Sequence, residues 1–171
     1  YPRNQKKDLQ ILKKHKVDVV FIPNFKDIFS FKTKHNIYLD NFSKKLCGKF
    51  RKGHFKGVVN VVNRLLEIIK PKLIFFGLKD YQQLYLIKKH IKKRKIKVKL
   101  ISCETIREKN GVACSSRNQN LNQKQLNIAS NVYKYLKLKK KNFINKKLSF
   151  NKKNIEHDLK KIGVSKIDYV D

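Results

Sequence analysis

The stretch Phe75-Phe76-Gly77-Leu78-Lys79-Asp80-Tyr81-Gln82-Gln83 decides how this chain folds. The run that leads into it, residues 71–76, is mostly apolar, opens with proline and is followed by glycine, a composition that predicts a short buried strand. From residue 84 to residue 91, apolar side chains recur at helical spacing with lysines on the opposite face, which predicts an amphipathic helix. The polar residues Lys79, Asp80 and Gln83 therefore fall where a strand ends and a helix begins.

Two interpretations of this polar cluster stay open on these residues alone. In open α/β sheets, ligands bind in the crevice at the carboxyl ends of the strands. Backbone N–H groups at a helix start, together with Lys79, would suit a phosphate group there. Alternatively the cluster is structural, with Asp80 capping the helix and Gln83 reaching back to complete a capping box.

Upstream, the pattern of helix followed by apolar strand favours a parallel sheet. Residues 5–16 suggest the end of a helix, Val17 to Pro23 a buried strand, and residues 36–39 a less distinct one. A glycine-punctuated basic loop, Arg51-Lys52-Gly53-His54-Phe55-Lys56-Gly57, then leads into an amphipathic helix over 58–69. Arg51 and His54 would thus lie near a helix N-terminus, where anions bind, although a surface loop with an incidental histidine fits equally well.

Downstream, residues 97–102 alternate like a strand, and an extended piece over 104–107 reaches a hairpin turn at Lys109-Asn110-Gly111. The chain returns into Cys114-Ser115-Ser116-Arg117-Asn118, where two hydroxyls and a planar guanidinium could hold phosphate oxygens, unless the segment is a polar linker. No G-x-S-x-G pattern surrounds Ser115, which argues against a nucleophilic serine. Helices are expected over 121–138 and around 155–162, followed by a strand over 166–170.

Composition narrows the class of protein. Lys and Arg number 43 against 12 Asp and Glu, a net charge of +31, which invites a nucleic-acid-binding alternative. The excess is dispersed lysine accompanied by many Asn and Ile, a bias typical of AT-rich codon usage, so we expect no specific nucleic-acid partner. No apolar run is long enough to span a bilayer, so we expect no membrane association. Three scattered cysteines without C-x-x-C pairing favour a reduced, cytoplasmic chain without a zinc site.

Three segments together resemble the pantoate–beta-alanine ligase family. They are residues 51–58, residues 77–83 and residues 114–118, and their order and spacing match that family. The opening residues, Tyr1-Pro2-Arg3, also resemble an internal stretch of it. The resemblance implies an α/β fold: part of a Rossmann-like nucleotidylyltransferase domain with a parallel sheet, then part of a smaller α+β carboxy-terminal domain. We place the division between residues 1–113 and residues 114–171.

The family's reaction and its site residues follow from the resemblance. It implies an ATP-dependent ligase that joins pantoate to beta-alanine through a pantoyl adenylate, releasing AMP and pyrophosphate, with Mg²⁺ and, at full length, a homodimer. It assigns phosphate stabilisation to Lys79, pantoate binding to Gln83, Mg²⁺ binding to Asp80, and the border of the site to Arg51 and His54. The residues it assigns to ATP are Gly77, Leu78, Lys79, Asp80, Ile106, Cys114, Ser115, Ser116 and Arg117.

The chain departs from the family at several positions. Leu78 and Cys47 stand where acidic residues are usual, Lys52 where proline is usual, and Cys114 where a larger aliphatic residue is usual. The family's H-x-G-H motif, whose histidine is catalytic, would lie before residue 1. We therefore expect the chain to be an internal fragment that is inactive alone. The alternatives are a lysine-rich nucleic-acid module or a related nucleotidylyltransferase that activates another carboxylate.

Overall fold

A short parallel sheet organises the fold. In this computed structural model, which describes residues 4–145 and 149–171, β1 (Leu73–Gly77) pairs with β2 (Lys99–Cys103). The register runs from Leu73 opposite Lys99 to Gly77 opposite Cys103. Between the strands, α5 (Tyr81–Arg94) forms the crossover that parallel pairing requires. The predicted parallel α/β arrangement and the strands predicted over 71–76 and 97–102 are confirmed, whereas Tyr1-Pro2-Arg3 lies outside the described residues.

Only one face of β1 is buried, which corrects the prediction of a fully buried strand. Ile74 and Phe76 pack against the apolar cluster beneath the helices, while Leu73 and Phe75 on the other face are 48% and 63% exposed. The reason is geometric, because successive side chains of a strand point to opposite faces. In the described part of the chain the helices that pack on the sheet cover a single face.

The core lies between α5 and α4 (His54–Ile69). Phe55, Val59 and Leu66 lie on one buried stripe of α4, and of these only Leu66 belongs to the predicted apolar face. They form two apolar clusters with side chains of α5, the first around Leu86 and the second around Ile87 and Ile91. Helix α4 ends at Lys70, which adopts a left-handed conformation (φ 49°) just before Pro71.

The other helices have local sequence signals at their ends. Asn122 and Gln125 form a capping box at the start of α6, and Gly163 ends α7 with φ 110°. Their bounds are α1 (Gln5–Lys14), α2 (Phe25–Phe29), α3 (Cys47–Phe50), α6 (Gln123–Ile144) and α7 (Lys152–Ile162). Within the described ranges, none of these helices is both long and apolar enough to cross a membrane.

Three predicted strands are wrong. Residues 17–23 form no strand and include a bend at Asp18, and Val19 is 81% exposed, because no described strand lies beside them to accept their backbone hydrogen bonds. Residues 36–39 form no ladder because side chains of the helices take their backbone groups. The Tyr38 N–H donates to His90 Nδ1 at 3.0 Å, and Arg94 Nη2 donates to the Ile37 carbonyl at 3.4 Å. Residues 166–170 are irregular.

Candidate active site

The carboxyl end of β1 leads directly into a polar cleft. Gly77 ends the strand, a single 3₁₀ turn (Leu78–Asp80) follows, and α5 begins at Tyr81. Lys79 Nζ reaches across to the carbonyl oxygen of Cys114, 3.0 Å away. Two segments separated by 35 positions in the sequence therefore meet at this edge of the sheet.

The segment opposite Lys79, residues 114–118, is called the arm below. A hairpin turn presents it: the Glu108 N–H donates to the Val112 carbonyl at 2.9 Å, and Arg107 bridges to Ala113 in antiparallel fashion. Gly111 takes a left-handed conformation in this turn (φ 89°), as the predicted Asn-Gly turn requires. The predicted hairpin is therefore confirmed.

Helix α6 supports the hairpin that carries the arm. Ser130 Oγ donates to the Asn110 carbonyl at 2.7 Å, and the Arg107 guanidinium lies 4.0 Å from the centre of the Tyr133 ring. Gly111 packs so closely on that ring that a Cβ there would lie 2.3 Å from it. These contacts hold the hairpin, and with it the arm, against α6.

Between the 3₁₀ turn and the arm lies an open cavity of about 740 Å³. Its lining is polar and includes cations, carboxylates, hydroxyls, a thiol and an amide. The lining residues are Lys79, Asp80, Glu108, Cys114, Ser115, Ser116, Arg117 and Gln119. Ser115 Oγ accepts a hydrogen bond from the Arg117 N–H at 3.2 Å. The buried Ser116 Oγ makes no hydrogen bond within residues 4–145 and 149–171.

The basic loop approaches the same region from α4. Gly53 adopts φ 76° and α4 begins at His54, so residues 54–57, predicted as loop, form the first turn of the helix. Burial and then the positive charge of Arg51 lower the pKa of His54, while the charge of Asp80 opposes this shift. The start of α4 packs on α5, because Phe55 and Leu86 share one apolar cluster, so the basic loop lies near the first half of α5, the helix that begins at the polar cleft.

The family model of pantoate-beta-alanine ligase matches residues 1–171 of this chain. The chain belongs to that family. Its curated relatives include the pantothenate synthetase of Endomicrobium trichonymphae, 42% identical over 171 residues, a match covering 100% of this chain and 60% of the relative. The pantothenate synthetase of Buchnera aphidicola (subspecies Schizaphis graminum) is 41% identical over 174 residues, with the same shares covered.

Solved structures of the pantoate-beta-alanine ligase family share the fold. The Francisella tularensis enzyme, complexed with beta-gamma ATP and beta-alanine, superposes with a TM-score of 0.78 at 36% identity, covering 95% of this chain and 60% of that one. The Thermus thermophilus pantothenate synthetase gives a TM-score of 0.71 at 32% identity, covering 78% of this chain and 49% of that one. The chain thus spans about three fifths or less of the length of these relatives.

Most of the predicted site residues of this family member converge. Lys79, Asp80 and residues 114–117 line one cavity, and Gly77 and Leu78 adjoin it in the chain. Ile106 lies in the extended piece before the hairpin and is 73% exposed. Gln83 is half-buried on the first turn of α5. The helix-capping alternative for Asp80 is wrong, because its side chain makes no capping hydrogen bond to α5.

Sequence reasoning missed three residues of this region. Glu108 and Gln119 line the cavity, and the position of Glu108 beside the predicted turn was the available signal. Gln82 is buried, and its Nε2 donates to the carbonyls of Phe42 and Lys45, both at 2.8 Å. Gln82 therefore anchors the segment that precedes the basic loop, a long-range role with no local signature.

Proposed function

We propose that this chain contributes the ATP and pantoate site of an enzyme that condenses pantoate with beta-alanine. In the proposed reaction, a pantoate carboxylate oxygen bonds to the α-phosphorus of ATP, and the bond from that phosphorus to the pyrophosphate group breaks. The amine of beta-alanine then attacks the acyl carbon, loses a proton and displaces AMP. The observation that carries the proposal is the approach of Lys79 to the arm across the polar cavity.

The cavity suits a nucleotide triphosphate. Adenylation needs no protein nucleophile, because positioning and neutralisation of phosphate charge supply most of the catalysis. Lys79 and Arg117 provide positive charge from opposite walls, and the hydroxyls of Ser115 and Ser116 are further donors. Gly77, Leu78 and Ile106 border the phosphate-binding part, where we place the adenosine portion of ATP.

The residues of the cavity also fit Mg²⁺. This ion prefers oxygen ligands and commonly takes one or two carboxylates together with substrate phosphates and water. Asp80 and Glu108 bring two carboxylates to the same cavity, and we propose that Asp80 holds the ion with Glu108 nearby. Bound there, Mg²⁺ would neutralise phosphate charge. No cluster of three or more His, Cys, Asp or Glu suited to a metal occurs in the described ranges.

Pantoate would lie between the cavity and the basic loop. Gln83 offers an amide to the pantoate hydroxyl or carboxylate, and Arg51 offers a positive charge. Burial and Arg51 lower the pKa of His54, which favours the neutral imidazole, with one ring nitrogen donating a hydrogen bond and the other accepting one. These assignments account for each predicted polar residue around the cleft.

We extend the proposal to the organisation of the protein. Residues 1–113 would form the nucleotide and pantoate domain, and residues 114–171 a hinge with part of the carboxy-terminal domain. The free thiols of Cys47, Cys103 and Cys114 support a cytoplasmic setting. The family supports a homodimer, which light scattering would test. The nucleic-acid alternative receives no support from a family match that covers residues 1–171.

The experiment uses the complete product of the gene that encodes this chain. Pantoate-dependent pyrophosphate release from ATP and Mg²⁺ is measured for the parent, Lys79→Ala and Lys72→Ala. Loss of a charge-assisted contact of about 1.5–3 kcal/mol should slow release by tenfold or more in Lys79→Ala. Lys72, an exposed lysine before β1, is the matched control and should change nothing. A parent that releases no pyrophosphate with pantoate, or a Lys79→Ala variant equal to Lys72→Ala, would overturn the proposal.

A further inference from the structure

Residues 164–171 return to the segment that precedes the basic loop. The Tyr169 hydroxyl and the Cys47 thiol share a hydrogen bond of 2.9 Å, and the Tyr169 ring stacks on Phe50 with centres 6.0 Å apart and planes 16° apart. The bond joins positions 122 residues apart. It raises the pKa of Tyr169 to about 12, with burial adding to the shift, so the phenol keeps its proton at physiological pH.

Helix α3, which carries Cys47 and Phe50, sets the start of the basic loop. The Arg51 N–H donates to the Cys47 carbonyl at 3.0 Å, and the His54 N–H donates to the Arg51 carbonyl at 3.1 Å. A displacement of α3 therefore displaces both predicted site residues of the loop.

The entry into α3 is strained and tightly packed. Leu46 adopts φ 48° and ψ −124°, a conformation that costs about 1–3 kcal/mol for a residue with a Cβ and persists only where neighbours enforce it. Gly48 packs so closely that a Cβ there would lie 1.8 Å from the Ser43 carbonyl oxygen. Tyr169 contacts the same short helix through Cys47 and Phe50, directly after the strained residue.

The carboxy-terminal helices connect this contact to the arm. Helix α6 holds the hairpin of the arm through Ser130, and Tyr135 of α6 donates to Asp158 of α7 at 2.6 Å. Lys152 of α7 pairs with Asp171 in the same terminal segment as Tyr169. A continuous series of contacts therefore runs from the arm, through α6 and α7, to the basic loop on the other side of the cleft.

We propose that Tyr169 is a positioning residue that latches residues 164–171 onto α3 and so holds Arg51 and His54 against the cleft. Its effect on catalysis rests on the function proposed above, whereas its effect on α3 does not. Release of Tyr169 from α3 would remove the hydrogen-bond partner of the Cys47 thiol and uncover the thiol. The reactivity of Cys47 therefore reports whether residues 164–171 are docked on α3. Tyr169 acts through the loop and does not touch the reacting atoms.

The test compares Tyr169→Phe, which keeps the ring and removes the hydroxyl, with Tyr169→Ala, which removes both. Tyr38→Phe is the matched control, because the Tyr38 hydroxyl makes no hydrogen bond in the described parts of the chain. Alkylation of each cysteine with iodoacetamide is followed by peptide mass spectrometry, so that Cys103 and Cys114 serve as internal references. Loss of one hydrogen bond should speed labelling of Cys47 by about fivefold in Tyr169→Phe. Tyr169→Ala should label faster still.

Two further readouts separate positioning from packing. In Tyr169→Ala, backbone amides of residues 51–54 should exchange hydrogen faster, and the KM for pantoate should rise severalfold while the KM for ATP stays constant. Tyr169→Phe should retain most of the parental pantoate KM. Unchanged Cys47 labelling in both variants overturns the latch. Faster labelling without faster amide exchange at 51–54 overturns the positioning role. A parent without any pantoate-dependent activity refutes the proposed function instead, while labelling and exchange still decide the latch.

Discussion

Lowering the pH from about 7.5 to about 5 should destabilise this protein through one buried histidine, His90. Its ring is 0% exposed between α5 and α4. The Tyr38 N–H donates to Nδ1 at 3.0 Å, so the proton of the neutral ring is on Nε2, which donates to Asn63 Oδ1 at 3.0 Å. Protonation would place a second N–H against the Tyr38 N–H and leave a buried charge. The hydrogen-bond arrangement therefore requires the neutral form.

The magnitude follows from the pKa of the folded state. Burial, and then the charges of Arg94 and His35, lower the pKa of His90 from 6.5 to about 4. Because the unfolded chain binds the proton first, this contribution is fully present above pH 6.5 and is lost as the pH falls toward 4. The complete loss is about 3 kcal/mol, of which about 2 kcal/mol should have disappeared by pH 5.

Urea unfolding followed by circular dichroism between these pH values measures the loss. The variant His90→Gln cannot titrate, and its free energy of unfolding should fall by about 2 kcal/mol less than that of the parent over this range. His15→Gln, which removes an exposed histidine at the end of α1, is the control and should follow the parental slope. Parallel pH profiles for the parent and His90→Gln would refute the reasoning.

Three further outcomes are expected. Gly111→Ala should destabilise the protein by about 1–3 kcal/mol in urea unfolding, because of its positive φ and its contact with Tyr133. Gly57→Ala, within α4 and without any atom near the new Cβ, should stabilise it by about 0.5–1 kcal/mol, and a loss would contradict the packing described. Binding to mixed-sequence DNA, measured by fluorescence anisotropy, should be sequence-independent and fall steeply with salt, because the +31 charge is dispersed. Tight binding to one sequence at physiological salt would favour a nucleic-acid module.

The sequence predicted the part of the fold that local signals control. Apolar patterning marks the strand before Gly77 and the helix after it, and favoured turn residues mark Asn110-Gly111. All three elements are confirmed. The rule that ligands bind at the carboxyl ends of strands in open α/β sheets pointed to the edge where the structure has a polar cavity. The resemblance assigned Lys79 and the arm to one ATP site. In the structure, Lys79 Nζ lies 3.0 Å from the carbonyl oxygen of Cys114 in the arm.

The errors arose where distant residues decide the outcome. Residues 17–23 have the composition of a buried strand, but a strand needs a neighbouring ladder, and none pairs with them in the described part of the chain. Residues 36–39 form no ladder, because their backbone groups bond instead to the side chains of His90 and Arg94, which lie more than fifty positions away in the sequence. Gln82, the neighbour of a predicted site residue, proved to be an anchor because its partners lie at 42 and 45. Such partners cannot be inferred from periodicity.

The transfer of oxygen from pantoate to AMP tests the proposed adenylation most directly. Pantoate labelled with ¹⁸O in its carboxylate is incubated with ATP, Mg²⁺, beta-alanine and the complete gene product. If that carboxylate attacks the α-phosphorus, the bridging oxygen leaves with the nucleotide, so one ¹⁸O atom should appear in AMP for each pantothenate formed. Mass spectrometry of AMP and pyrophosphate measures its destination. Label in inorganic phosphate, or unlabelled AMP accompanying pantothenate, would contradict the pantoyl adenylate.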